Sequence, residues 1–105
     1  MPQVKNYYTA TATTTETNFA TASDVPSVVD INAVGPATWG VQVQFSLFEK
    51  INPAAGAVLV AQIVLNGPGI VRLADAVALR DGWYVTHKKL LGADSAVAIA
   101  VIGAT

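Results

Sequence analysis

His87 is the single histidine in a cysteine-free chain of 105 residues. A glycosidase-type carboxylate pair is left open by the sequence with no pair favoured, whereas a histidine-based general base would have to be this one. A base of that kind needs an orienting carboxylate and a nucleophile within hydrogen-bond reach. Asp81 and Asp94 flank the segment that carries His87, and Ser95 follows Asp94. The order permits a Ser-His-Asp reading, but no Gly-x-Ser-x-Gly elbow presents Ser95 as a nucleophile. A histidine beside Lys88 and Lys89 reads better as a surface or rim residue. The chain is expected not to be an enzyme, with no catalytic residues.

Other constellations carry less. Of the seven carboxylates, Asp24, Glu49, Asp75, Asp81 and Asp94 sit at or beside turn signals, where aspartate commonly bonds its own backbone. No Asp-x-Asn-x-Asp-Gly calcium loop occurs. The run Asn66-Gly67-Pro68-Gly69 lacks the Lys-Ser/Thr and following helix of a phosphate cradle, and reads as a hairpin turn. Without cysteine, thiolate metal sites and disulfides are excluded. No metal or cofactor is expected. Lys88 and Lys89 would point to opposite faces of a strand and guard an edge, or bridge to a neighbouring subunit. The net charge of −1 offers no field for nucleic acid or a membrane surface. Trp39 and Trp83 both open strands and are expected to plug the two ends of a core. If exposed, Trp39 or Tyr84 would suit a glycan.

The elements that must position these residues read as strands. Val41, Val43, Phe45 and Leu47 alternate with Gln42, Gln44 and Ser46, which predicts one buried and one wet face. Ser27–Val34, Ala57–Leu65, Trp83–Leu91 and Ala96–Ile102 are further strands. Tyr7–Thr17 alternates threonine with alanine and is an extended arm or an edge strand. Leu73–Arg80 is extended, with a turn near Ala74-Asp75. Gly92-Ala93-Asp94-Ser95 joins the last two strands as a hairpin loop. Regular Gly, Pro and Asp punctuation between short strands predicts an all-β domain, a β-sandwich or jelly roll of six to eight strands over 18–105, preceded by residues 1–17.

Composition then poses a surface problem. Only 12% of residues are charged against 52% hydrophobic, where about 25% charge is usual. Ala57–Leu65 and Ala96–Ile102 are apolar on both faces, although a sandwich buries only one. The second faces hold Val58, Val60 and Val64, and Ala96, Ala98, Ala100 and Ile102. They form the expected oligomer interface. A homo-oligomer is therefore expected, with a trimer favoured. No apolar run approaches the roughly 20 residues of a membrane helix, and no signal peptide is expected, since no apolar run follows Lys5.

The run Leu79-Arg80-Asp81-Gly82-Trp83-Tyr84-Val85-Thr86-His87-Lys88-Lys89-Leu90-Leu91-Gly92-Ala93-Asp94, followed by an alternating final strand, resembles small virion structural proteins of tailed bacteriophages. The final strand, alanine-rich at Ala96–Ala100, departs from the aromatic and charged residues more usual there. The resemblance implies a β-sandwich that decorates or cements a capsid, or belongs to a tail, by packing alone. It implies location in the virion after synthesis in the host cytoplasm. Its partners would be like subunits and other virion proteins such as a major capsid protein. Tyr7, Tyr8, Thr11 and Thr13 of the arm would touch the neighbour. The alternative is a ligand- or glycan-binding module of a fibre or tail.

Overall fold

The computed structural model describes residues 3–19, 28–52, 56–78 and 83–104. They form eight strands and, among the described residues, no helix: β1 (Gln3–Ala12), β2 (Thr17–Asn18), β3 (Val28–Val34), β4 (Gln42–Asn52), β5 (Gly56–Leu65), β6 (Ile70–Ala78), β7 (Tyr84–Leu91) and β8 (Ser95–Ala104). One sheet has the order β1-β8-β3-β6 and the other β2-β7-β4-β5. All pairs are antiparallel. Nested pairing of β1 with β8, β2 with β7, β3 with β6 and β4 with β5 is a long hairpin rolled into two layers. That is jelly-roll connectivity, and the expected all-β sandwich is what the chain forms.

The hydrophobic alternation fixes which side of each strand faces the other layer. Val41, Val43, Phe45 and Leu47 of the β4 region are all buried, as are Val97, Ile99 and Val101 of β8 and Ile31 and Ala33 of β3. Ala61, Ile63 and Leu65 of β5 pack onto this core from its margin. From β1, Ala12 is fully buried, and Tyr8 and Ala10 pack against the core. The N-terminal segment thus lies along β8 as an edge strand over ten paired residues. Trp83 is buried as part of this core.

Several local expectations change. Neither Gly92–Ser95 nor Asn66–Gly69 closes a hairpin, because β7 and β8, and likewise β5 and β6, lie in different sheets. Both loops pass from one sheet to the other. Among the described strands, only β4 and β5 are sequential neighbours in one sheet. The turn expected near Ala74-Asp75 is instead a bulge inside β6. The ladder to β3 shifts there, and Leu73 and Ala74 are both buried although adjacent, as happens when an extra residue kinks a strand. Ser46, placed on the wet face, is buried because Gln62 across the ladder and Gln44 both donate to its Oγ, at 2.9 and 3.4 Å. The turns at Asp24–Pro26 and Asp81-Gly82, and residues 53–55, lie outside the described residues.

The accessible area, 5606 Å², is close to the roughly 5,600 Å² expected of a compact monomer of this mass. The low charge is therefore not hidden by unusual compaction. It has to appear as apolar surface.

Candidate interaction surfaces

His87 is the first residue to place. The β7 alternation turns Val85 and His87 inward and Thr86 and Lys88 outward, and His87 is 1% exposed. It sits opposite Phe45 in the ladder and meets the Phe19 ring edge-on at 4.6 Å. The expectation of a surface or rim histidine is overturned. Alternation along β7 decides the matter, since Val85 and His87 share parity on a strand with a sheet neighbour on either side. Neither imidazole nitrogen meets a hydrogen-bond partner among the described residues. Burial lowers the pKa below 6.5, so the ring is neutral at physiological pH.

The residues that could have completed a triad are engaged elsewhere. The Ser95 hydroxyl donates to the Ala93 carbonyl at 3.1 Å, and Asp94 accepts from Lys89 Nζ at 2.6 Å. That ion pair lies within the chain. Among the described residues no three His, Asp or Glu side chains converge as a metal site would require.

On the outer face of the second sheet, Gln44, Ser46, Gln62 and Thr86 form a polar cluster. Thr86 is buried and donates to Glu16 Oε2 at 2.6 Å. Glu16 thus ties the crossing from β1 to β2 against β7, as do the backbone bonds from Lys89 N to Thr13 O and from Phe19 N to Val85 O. Lower on this face, Phe48 stacks on Tyr84 with centroids 5.2 Å apart. That half-buried pair leaves Tyr84 less available than a free aromatic.

The β5 members of the expected interface lie at the margin of the second sheet. Val58, Val60 and Val64 are 44%, 41% and 49% exposed, and Leu59 beside them is 48% exposed. Val64 stands opposite Gln44 on the outer face, and Val60 is the extra residue between the pairs Leu47–Ala61 and Phe48–Leu59. Ile70 and Val71 of β6, the corresponding edge of the first sheet, are also exposed. One lateral side of the sandwich therefore exposes apolar side chains on both layers, beside the Arg72–Asp75 ion pair of β6.

The β8 members lie elsewhere, on the outer face of the first sheet. Ala96 is exposed, Ala100 and Ile102 are half-buried, and Ala98 is buried between Thr9 and Val34, its register neighbours. Small side chains on a central strand make the floor of a shallow groove of about 150 Å³, walled by Tyr7 and Thr9 on one side and Val34 and Gly35 on the other. The fold thus brings Tyr7 to the alanine face, while Tyr8 turns to the core. Thr11 is exposed opposite Ala96, and Thr13 Oγ1 accepts from the Thr15 amide at 3.3 Å. The β5 and β8 sets do not form one surface.

Sequence reasoning missed the role of Trp39. It does not plug the core but is 73% exposed. Its ring covers Gly67, where an added Cβ would lie 2.3 Å from the indole. The loop 35–40 is bonded to the β5–β6 crossing through Gly35 N to Gly69 O at 2.9 Å and Gly40 N to Asn66 O at 3.4 Å. The glycine spacing could have flagged a close approach, but only the tertiary fold brings the two loops together.

Compared with known proteins, the chain matches no protein-family model and no curated protein.

Proposed function

We propose that the protein is a non-enzymatic structural subunit that self-associates and packs on a viral shell as a capsid decoration or cement protein. The observation that carries the reading is the apolar lateral side made by Val58, Leu59, Val60 and Val64 with Ile70 and Val71. Exposed apolar side chains gathered at one margin in this way are characteristic of a protein–protein contact. Jelly rolls recur in viral shells and also in lectins, so the fold alone does not choose between them. Covering apolar surface contributes about 25 cal/mol per Å², which makes association the favourable fate of this side. Immunogold labelling of particles purified from the producing host tests the proposal. Label on intact particles supports it, and particles without label overturn it.

A second reading rests on Trp39. An indole 73% exposed and seated on a glycine at a loop end suits stacking against a sugar ring. A glycan-array signal lost in Trp39→Ala and kept in Tyr84→Phe would favour that reading.

A further inference from the structure

Two four-stranded sheets have four edge strands, here β1, β6, β2 and β5. Natural proteins defend such edges with charge, proline, bulges or brevity. Three of these four are guarded by brevity or by polar and charged side chains. β2 is two residues long. β1 includes Lys5 and the exposed Thr9 and Thr11. β6 is kinked by its bulge at Leu73-Ala74 and bears the exposed ion pair Arg72–Asp75 at 3.0 Å. β5 is different. Its ten residues, Gly56–Leu65, contain neither a charge nor a proline, its one device is the bulge at Val60, and no described strand pairs with its outer side, which leaves the regular stretch Ala61–Leu65 unguarded.

We infer that the free edge of β5 pairs antiparallel with β5 of a second copy, joining two four-stranded sheets into one eight-stranded sheet across a two-fold axis. The inference rests on the self-association proposed above and specifies the edge that performs it. Unpaired backbone N–H and C=O groups along a strand are satisfied best by another strand. A strand with no charge meets its own copy without like-charge repulsion, whereas a charged partner would desolvate its charge against Val60 and Val64 without compensation. Antiparallel pairing about a two-fold axis is self-complementary, so one sequence serves both sides. The exposed apolar side chains amount to on the order of a few hundred Å² per copy, which the axis doubles toward the roughly 1,000 Å² of a specific interface. The bulge at Val60 confines the regular ladder to Ala61–Leu65.

The absence of native cysteine allows a clean test. Two-fold pairing sets one residue opposite its own copy. A disulfide needs Cα atoms about 4.4–6.8 Å apart, so crosslinking to self peaks at a single position. Single variants Ala61→Cys, Gln62→Cys, Ile63→Cys and Val64→Cys are oxidised and run on non-reducing gels, with solution mass measured by light scattering. The expected result is an oligomer whose crosslink is strong at one position and lost on either side. The pair Val60→Lys with Val64→Lys is expected to halve the mass while leaving the circular dichroism unchanged. An oligomer with no self-crosslink at any of the four positions overturns the β5 pairing and leaves self-association standing. A mixed disulfide between Val64→Cys and Val71→Cys chains would then place β5 on β6 of the neighbour, as a ring such as a trimer requires. A monomer with the native sequence overturns both proposals.

Discussion

The ring of Phe19 stands edge-on to the ring of His87, with centroids 4.6 Å apart and planes at 64°. Phe19 also lies parallel to Phe45 at 6.1 Å. The histidine is thus enclosed by aromatic carbon on the inner face of β7. It is held there by a crossing segment that includes the two-residue strand Thr17–Asn18.

Stability should fall as the pH drops through the ordinary histidine range. Desolvation lowers the His87 pKa in the folded chain below 6.5, while the unfolded chain takes up its proton near that value. Between the two values the unfolded state binds more protons, so the folded state loses ground as pH falls and is insensitive to this group above the window. Urea midpoints at pH 7.5 and 5.5 measure the slope. The variant His87→Leu should flatten it, and a variant with the native pH dependence would exclude His87 as its source.

Removing the aromatic cover should cost more than removing an exposed ring. Phe19 is 3% exposed, and Phe19→Ala is expected to destabilise by about 3 kcal/mol, the lower end for buried phenylalanine. It also admits water to His87. The imidazole pKa followed by proton NMR in this variant should move up toward 6.5. An unchanged titration would mean that Phe19 does not supply the burial.

The two loops that meet under Trp39 make a matched pair of tests. Gly67 and Gly69 have φ of +150° and +149°, but only at Gly67 would a Cβ strike the indole. Gly69→Ala should cost about 1 kcal/mol from backbone strain alone. Gly67→Ala should cost about 2–3 kcal/mol, because displacement of the indole is added to that strain. Thermal unfolding and near-ultraviolet circular dichroism distinguish them, and equal losses would show that the indole yields freely.

Glu16 and Thr86 should be energetically coupled although 70 residues separate them. Their 2.6 Å hydrogen bond is charge-assisted, and a double-mutant cycle with Glu16→Ala and Thr86→Val should return about 1–2 kcal/mol. A coupling below a few tenths would mean that solvent replaces the contact.

Deleting residues 1–17 should unfold the chain. Ala12 is fully buried and β1 covers one edge of β8 along its length. The sequence alone admitted a detachable arm, whose loss would spare the sandwich. Circular dichroism of the truncated chain decides between the two.

Strand content was readable from the residues because side chains in a strand alternate with a period of two, and a mismatch would put Phe45 or Ile99 in water. The alternation in Val41–Leu47 and Val97–Val101 specified which residues face the core. Gly, Pro and Asp marked where the chain reverses. These signals are local. They do not say whether a reversal stays within one sheet or crosses to the other, since both need the same turn chemistry. The Gly92–Ser95 loop therefore looked like a hairpin and is a crossing. Burial of His87 and Ser46 is also a tertiary outcome. A lone polar residue on a strand takes the face that its apolar neighbours impose, and a central strand has little wet face to offer. The excess of apolar residues was evident from composition. Only the strand order put Val60 and Val64 on an uncharged edge and Ala98 in the middle of a sheet. Which apolar face remains exposed depends on which strand ends a sheet, and strand order is set by contacts between residues far apart in the chain.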